Sequence, residues 1–466
     1  MFATIAIDEL QVGMHVHLDG GWLSHPFPRS SFRIGSSEQI AIIRGLGLHE
    51  VRWVPEKSDL APSEALTDEA PTASSPEPGP TDTAASTAAS TGTHTDTDTF
   101  QSPTPHDPGP APVLAAARAA AQAVEVAAQR AALQRCQHQQ TLALNACRTT
   151  LDAVAQRPAQ ARAGAAAFAQ DLLQQMRVEG DLCIRLLPES GTDRMAAHAL
   201  NVTVISMLVG RSFGLDDVAM CSLGMGALLH DIGKLDLPER VRHHDARFSP
   251  AETAAWREHV AMGLGLGRRL GLSAEVLTVL AQHHEHADGS GFPLHIGGAA
   301  MSPLARIVAV VDTYDSLCNP GSTASALTPH EAVQTLYAQG RHRFDAAVLG
   351  AFIRMIGVYP AGSLVQLTDD RHALVVAVNS TRPLKPRVLV HDPRVPRDEA
   401  LVLDLQREQG LGIRRSLPPA RVPAAALQYL DPRPRVAYYF EPLAADPELC
   451  RVEAEGRHAP GPRMAA

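Results

Sequence analysis

The 466-residue sequence has few aromatic residues, scattered cysteines and no long apolar run. Aromatic residues make up 4% of the chain and hydrophobic residues 45%, with abundant alanine, a composition that favours helices over sheets. The six cysteines form no C-x-x-C pair, which excludes a zinc ribbon and gives no sign of a disulfide framework. No apolar run approaches the ~20 residues that span a bilayer, and the first residues lack the pattern of a signal peptide. We therefore expect a soluble cytoplasmic protein with no membrane insertion.

Basic residues are absent from one long stretch of the chain. Residues 58–117 contain nine acidic residues and no lysine or arginine, whereas the whole chain has a formal net charge of −9. The remainder is therefore close to neutral, and it offers no global basic field for DNA or RNA. Residues 58–112, mainly Thr, Ser, Pro, Ala and Asp, cannot bury enough surface to offset chain entropy. We predict a disordered acidic linker there, and a passive tether is favoured over a binding role.

Composition and periodicity divide the rest of the chain into five parts. Residues 1–57 read as strand, capped helix and strand, which predicts a small α/β module. Residues 113–163 are Ala-rich and predict a connecting helix. Residues 164–356 are expected to be helical throughout, residues 357–443 contain β-rich runs, and residues 444–466 are expected to be loose. The predicted fold class is therefore mainly α, a helical bundle with a small N-terminal α/β module and a short C-terminal β unit.

Imidazoles and carboxylates recur on or at the ends of five successive apolar helices within 164–356. The stretch GALLHDIGKLDLPERV, for example, runs from small and apolar residues straight into a His-Asp pair. Such groups are costly to bury unless they are paired or bind a metal, so the recurrence predicts a metal site. The adjacent pair His243-His244 lies in a polar stretch and is interpreted as solvated. The candidate ligands are His198, His230, Asp231, His259, His283, His284 and Asp312.

The order H…HD-x-G-K…H…HHE…D resembles the HD superfamily of metal-dependent phosphohydrolases, and HHEHADGSGFP resembles the signature of its HD-GYP branch. This resemblance covers about Gly164 to Ile356. Residues 1–55 resemble an uncharacterised domain often fused ahead of bacterial HD-GYP domains, and VYPAGSLVQLTDD resembles the segment that commonly follows them. The resemblance implies an HD-type helical bundle that hydrolyses cyclic di-GMP to linear pGpG, and further to GMP, in bacterial second-messenger signalling.

The resemblance also implies two divalent metal ions bridged by Asp231. Such paired ions lie roughly 3.5–4 Å apart and clamp the attacking and leaving oxygens of a phosphodiester. Mixed imidazole and carboxylate ligands leave the metal open between iron, manganese, nickel and zinc, with iron or manganese favoured. The remaining ligands fall into two sets. The first set is His198, His230 and Asp312, and the second is His259, His283 and His284.

Other residues are predicted to act on the substrate. Lys234, three residues past Asp231, is expected to neutralise a phosphate oxygen. Asp315, one helical turn after Asp312, either contacts the substrate or orients a ligand, and Glu285 is expected to hold a ligand histidine in one tautomer. The predicted catalytic residues are Asp231, Lys234 and Asp315. A tight loop is predicted to border the substrate, against the alternative of an ordinary turn. Its residues are Gly289, Gly291, Phe292 and Pro293.

The sequence departs from the family pattern at three places. Phe292 replaces the tyrosine of the G-Y-P tripeptide, and DSLCNPGSTAS after Asp312 lacks the usual arginine and tyrosine. Arg194 stands where some members carry a glutamate that helps to hold a third ion, which predicts two ions here. A compensating arginine could come from Arg306, Arg341 or Arg343. An HD phosphohydrolase for another cyclic nucleotide and a catalytically weak nucleotide-binding signalling protein therefore stay open, as does a homodimer or a signalling-protein partner.

Overall fold

The structure, a computed structural model, consists of two compact units, residues 1–121 and 122–466. The described residues are 3–17, 31–34, 40, 43–44, 50–58, 110–178, 180–188, 193–245, 247–380, 382–408 and 410–443. The predicted linker at 58–112 lies outside them except at its two ends, and the predicted tail at 444–466 lies wholly outside. Within the described part of the chain, no helix is both long and apolar enough to cross a membrane.

The first unit contains an antiparallel sheet with the strand order β1-β4-β2-β3. The strands are β1 (Ala3–Ala6), β2 (His15–His17), β3 (Ser31–Arg33) and β4 (Glu50–Trp53). Val16 and Val51 point into a small apolar core together with Met14 and Ile34. The two strands predicted within residues 1–57 are confirmed as β2 and β4, whereas the helix predicted between them lies mostly outside the described residues.

Twelve α-helices lie within the described residues from Pro110 onwards. Their bounds are α1 (Pro110–Ala153), α2 (Pro158–Met176), α3 (Arg194–Ser212), α4 (Asp217–Leu229), α5 (Glu239–Arg242), α6 (Pro250–Arg257), α7 (His259–Leu270), α8 (Ala274–Gln282), α9 (Pro303–Cys318), α10 (Pro329–Gly340), α11 (Ala346–Ile356) and α12 (Ala424–Leu430). Proline at the first position suits a helix start because its missing N–H has no partner there, and α2 begins in this way. The predicted domain boundary between residues 163 and 164 falls inside α2, and it stays a prediction.

The helices around the site are capped and closely packed. The Asp193 side chain accepts a hydrogen bond from Ala196 N at the start of α3, and Asp216 accepts one from Ala219 N at the start of α4. These caps satisfy N–H groups that the first turn leaves unpaired. Gly224 faces Ala169 so closely that a Cβ there would lie 2.9 Å from the alanine Cβ. The small residues of α4 therefore allow it to pack directly against α2.

A seven-stranded sheet joins the C-terminal region to the helices. Its strands are β5 (Leu182–Leu187), β6 (Leu364–Leu367), β7 (His372–Asn379), β8 (Arg387–Val390), β9 (Val402–Asp404), β10 (Ile413–Ser416) and β11 (Ala437–Pro442). The β-rich runs predicted after residue 357 are confirmed, as is the mainly α fold class. The expectation that residues 164–356 are helical throughout is wrong, because β5 lies within them and pairs with both β7 and β11. A short apolar run such as LCIRLL does not distinguish a strand from a buried helix by periodicity.

Candidate metal centre

The seven predicted ligands converge on one buried place among helices α3, α4, α7, α8 and α9. Two groups have donor atoms that all lie within 4.8 Å of one another. Asp231 belongs to both groups, which are Asp231, His259, His283 and His284, and His198, His230 and Asp231. Asp312 completes the arrangement, since its Oδ1 lies 3.2 Å from His198 Nε2 and its Oδ2 lies 3.7 Å from His284 Nδ1.

Local backbone contacts aim three of these imidazoles inward. His230, His259 and His283 each donate from Nδ1 to the carbonyl oxygen of the residue three positions earlier, over 2.6–2.9 Å. In its neutral form, each of these rings therefore carries the lone pair on Nε2. The Nε2 atoms of His259 and His283 lie only 3.3 Å apart, and those of His198 and His230 only 3.2 Å apart. Two lone pairs that face each other need a cation or a proton between them, and the pairs therefore fit metal ligation.

Among the seven predicted ligands, two further polar atoms are buried without a hydrogen-bond partner. They are Asp231 Oδ1 and His284 Nε2. Leaving such a group unpaired costs about 1–3 kcal/mol, more when it is charged. Asp231 Oδ1 lies 3.4 Å from His259 Nε2 and 3.7 Å from His283 Nε2, so one cation could be shared by all three atoms. The donor set of neutral imidazoles and carboxylates suits a divalent transition metal.

Burial keeps the second ligand set in the form that binds metal. It lowers the pKa of His283 to about 3, an effect that His230 and His259 reinforce. Burial also lowers the pKa of His259 to about 4 and that of His284 well below its ordinary value. These three rings are therefore neutral near pH 7, which leaves a lone pair free for a cation.

In and around the first ligand set, the charged carboxylates outweigh the effect of burial on the pKa of the histidines. Burial alone would raise the pKa of Asp231, but the charges of Lys234 and His230 hold it well below its ordinary range. The pKa of Asp312 is likewise held well below its ordinary range, because the imidazoles of His198 and His230 lie beside it. Burial alone would lower the pKa of His198 and His230, yet these carboxylates outweigh it, and the pKa of His230 rises to about 9. Both aspartates are therefore charged at the centre of the cluster.

Asp315 contacts the cluster through His198 and is also among the residues that line the adjacent cavity. It is fully buried, and its Oδ2 accepts a hydrogen bond from His198 Nδ1 at 2.7 Å. Its Oδ1 accepts from the side-chain amides of Asn201 at 2.8 Å and Asn319 at 2.9 Å. The hydrogen bond to His198 therefore supports the orienting role predicted for Asp315, and the predicted substrate contact stays a prediction. The two asparagines had no signal in the sequence, because only the folded chain brings them to Asp315.

Glu285 supports the loop that was predicted to border the substrate, and not a histidine. Its fully buried carboxylate accepts hydrogen bonds from Leu294 N at 2.6 Å and from Ile296 N at 3.2 Å. The expectation that it fixes the tautomer of a ligand histidine is therefore wrong. Its contacts instead tie the end of helix α8 to the loop that follows, which holds that loop beside the metal ligands.

Of the four loop residues predicted to border the substrate, only Phe292 lines the adjacent cavity. Its ring stacks on His284 with a centroid separation of 4.7 Å. Gly289 has φ +76°, a conformation that favours glycine, and a Cβ on Gly291 would collide with the backbone of Glu285. Together with the exposed Pro293, these glycines shape the loop, and the direct contact predicted for all three is not supported.

A cavity of about 530 Å³ opens beside the cluster. Metal-site residues form part of its wall, and Lys234 donates to Asp231 Oδ2 there while its Nζ lies 5.7 Å from the Trp256 ring centroid. Arg343 also lines the cavity. The other two candidate replacements for the missing arginine do not, since Arg306 is held by Asp345 and Arg341 contacts His342 at the surface. Further cationic and aromatic lining comes from Arg194, Arg435, His243, His244 and Phe292.

Comparison with protein families places this cluster in a known domain. The HD domain model matches residues 182–348, a range that contains all seven candidate ligands. The chain carries an HD domain. A domain of unknown function (DUF3391) matches residues 3–165, so the resemblance predicted for both regions is confirmed. The HD domain and the donor geometry together indicate divalent metal binding.

Characterised relatives of this HD-domain protein are phosphodiesterases. It is 28% identical to the cyclic di-GMP phosphodiesterase PA4108 of Pseudomonas aeruginosa over 84% of this chain and 85% of that protein. It is 32% identical to the cyclic di-GMP phosphodiesterase response regulator RpfG of Xanthomonas campestris pv. campestris, over 32% of this chain and 40% of that one. It is 26% identical to the 3′3′-cGAMP-specific phosphodiesterase 3 of Vibrio cholerae, over 35% and 36%. The chain thus spans less than half the length of the last two.

A solved structure gives a weaker match. The HDG"Y"P protein Bd1817 from Bdellovibrio bacteriovorus aligns with 76% of this chain and 98% of its own, with 14% identity and a TM-score of 0.38. At that score the alignment adds nothing to the assignment of the domain, which depends on the family match and on the ligand geometry.

Proposed function

We propose that this HD-domain protein is a metal-dependent phosphodiesterase that hydrolyses cyclic di-GMP to linear pGpG and then to GMP. The observation that carries the proposal is the pair of donor groups that share Asp231. A shared carboxylate has two oxygens and can hold one cation with each, which is the arrangement that two-metal phosphodiester hydrolysis requires. The relative that aligns across both domains bears the name of a cyclic di-GMP phosphodiesterase.

The metal site is proposed to hold two ions, with iron or manganese favoured by the mixed nitrogen and oxygen donors. Asp231 would bridge them. When bound, such ions supply an activated water nucleophile and polarise the phosphate. His198, His230 and Asp312 would hold one ion, and His259, His283 and His284 the other. Arg194 at the start of α3 offers no ligand atom for a third, and its Nη2 donates to Pro320 O at 2.9 Å.

The cavity suits a dinucleotide with two phosphates and two purines. Its volume of about 530 Å³ lies within the range of roughly 300–1,000 Å³ that is typical of small-ligand sites. Lys234 and Arg343 supply positive charge beside the metal cluster. Trp256 and Phe292 offer flat faces, and stacking of a base on such a ring stabilises binding by about 1–3 kcal/mol.

Replacing Lys234 with methionine tests whether its charge acts on the phosphate. We expect kcat to fall about 10²–10³-fold, the cost of removing one preorganised donor from a developing negative charge. Bound metal should be unchanged, because the lysine is not a ligand. Steady-state kinetics and elemental analysis would measure both quantities. The matched control is Lys385→Met, since Lys385 contacts Leu411 O in the C-terminal region, outside the catalytic cavity. Equal kcat for the two variants would contradict the assigned role.

The function itself is tested with full-length protein loaded with Fe²⁺ or Mn²⁺ and incubated with cyclic di-GMP. We expect linear pGpG in the chromatogram and two ions per chain by elemental analysis. Absence of linear product with iron, manganese and nickel alike would contradict the proposal. A parallel incubation with 3′3′-cGAMP addresses the second candidate substrate, which the altered segment after Asp312 and the Vibrio cholerae relative keep open. Tight nucleotide binding without turnover would instead favour a signalling role.

A further inference from the structure

Two asparagines connect the metal centre to the C-terminal strand β11. Asn201 lies one helical turn after His198 on α3, and Asn319 directly follows α9. Both donate from Nδ2 to Asp315 Oδ1, and both also donate to the carbonyl oxygen of Val436, at 3.0 Å and 2.9 Å. Asp315 Oδ2 in turn accepts the hydrogen bond from His198 Nδ1. A continuous chain of hydrogen bonds thus runs from the strand to a metal-ligand imidazole.

The first part of β11 and the residue before it return hydrogen bonds to both amides. Val436 N donates to Asn319 Oδ1 at 2.9 Å, and Tyr438 N donates to Asn201 Oδ1 at 3.0 Å. Each asparagine therefore uses both of its N–H donors and its oxygen, which is the pairing that an amide can make and a carboxylate cannot. An aspartate of the same shape would lose two donors and would place a second negative charge against Asp315. The fit is specific to asparagine at both positions.

The strand is fixed in place by contacts of its own. Tyr438 is fully buried, and its hydroxyl donates to Ala361 O at 3.2 Å and accepts from the Tyr314 hydroxyl at 2.9 Å. Tyr314 lies on α9 between Asp312 and Asp315. Strand β11 also pairs along its whole length with β5, which lies inside the HD domain. These contacts therefore fix the position of the strand relative to α9 and β5.

The start of β11 lies outside the HD domain match but next to the metal centre. The HD domain match ends at residue 348, whereas the strand begins at Ala437. Arg435, Val436 and Ala437 nevertheless line the catalytic cavity. The C-terminal region is therefore part of the site wall as well as the support behind Asp315.

We propose that the start of β11 sets the orientation of His198 through Asn201, Asn319 and Asp315, and that both asparagines are positioning residues for the metal centre. The proposal rests on the metal-binding part of the proposed function and not on the identity of the nucleotide. Residues that orient a ligand in this way typically change metal affinity about 10- to 100-fold when they are replaced. The C-terminal region is then required for metal binding and not merely for stability.

The test uses full-length protein stripped of metal by chelation and titrated with Co²⁺, whose visible absorption reports the number and geometry of its ligands. We expect Asn201→Asp and Asn319→Asp to weaken binding of one Co²⁺ about 10- to 100-fold and to change its spectrum, while the second ion binds as in the wild type. Asn319→Ser, at a half-buried position, removes the contacts without adding charge and should give the same direction of change.

Asn379→Asp is the matched control. Asn379 is also buried, lies on β7 of the same sheet and donates to Asp181 Oδ2, but it does not contact Asp315 or His198. Thermal unfolding should place the control and the test variants in the same range. Folded test variants with wild-type Co²⁺ affinity and spectrum would overturn the proposal. Unfolding of all three beside a folded control would also overturn it, since the asparagines would then act on stability alone.

The Co²⁺ titration contains no nucleotide, so its outcome is separate from that of the proposed function. A wild-type protein that binds two Co²⁺ ions and fails to hydrolyse cyclic di-GMP would contradict the proposed substrate, and the comparison of variants would still decide the role of the asparagines. A wild-type protein that binds no Co²⁺ would overturn both proposals.

Discussion

Replacing Asp231 with asparagine is expected to abolish turnover and to release metal from both halves of the cluster. Asp231 belongs to both groups of donors, with Oδ1 3.4 Å from His259 Nε2 and Oδ2 3.5 Å from His198 Nε2. Asparagine keeps the shape of the side chain but loses its charge and turns one acceptor into a donor. Removing one preorganised donor lowers the rate by up to about 10³-fold. We expect kcat/KM to fall by more than that, because both ions lose a ligand.

Elemental analysis beside steady-state kinetics would measure this effect, with bound metal falling from two ions per chain to fewer than one. Asp236→Asn is the matched control. Asp236 lies five residues later, at the end of the short 3-10 helix Ile232–Asp236 that follows Asp231, and is exposed to solvent. It should keep full activity and both ions. An Asp231→Asn protein that retained two ions would contradict the bridging role, whatever its activity.

The convergence of the candidate ligands could be predicted from the sequence because their positions depend on local structure. His230 and His283 directly follow buried helices, and Asp231 comes next after His230. The hydrogen bond from the Nδ1 of each histidine to a carbonyl oxygen three residues earlier needs only the helix end itself. Apolar periodicity therefore locates both the helices and their last residues. The order of the ligands along the chain then supplied the family resemblance.

The contacts behind the ligands could not be predicted in this way. Asn201 meets Asp315 across 114 residues of sequence and Tyr438 across 237. Nothing in the neighbourhood of an asparagine indicates which backbone it will contact after folding. Glu285 follows the histidine pair directly, which suggested a bond to a ligand, yet its carboxylate reaches forward to the backbone of residues 294 and 296. Strand β5 was missed for a related reason, since its pairing partners lie far away in the sequence.

Gly233→Ala is expected to damage both stability and the metal site, although the residue carries no side chain. Gly233 follows Asp231 by two residues, and its backbone packs directly on the first turn of α7. A Cβ there would overlap the carbonyl oxygen of His259 and lie 2.5 Å from Gly263 N. These are backbone atoms, so they cannot rotate aside, and overpacking of this kind costs about 3 kcal/mol at the upper end of its usual range.

The damage should extend to metal binding because the same contact sets the distance between Asp231 and His259. Relief of the overlap must move one segment away from the other, and a displacement of about 1 Å can cost roughly 10²-fold in rate. We therefore expect a lower Tm together with weaker binding of the ion that His259 would hold. Gly265→Ala, on the same helix and with no atom within 4 Å of its Cβ, should leave metal binding unchanged and raise helix stability by up to about 1 kcal/mol. Wild-type Tm and metal content in Gly233→Ala would show that the two segments are not held together at this point. The contact would then not explain why Asp231 lies beside both groups of donors.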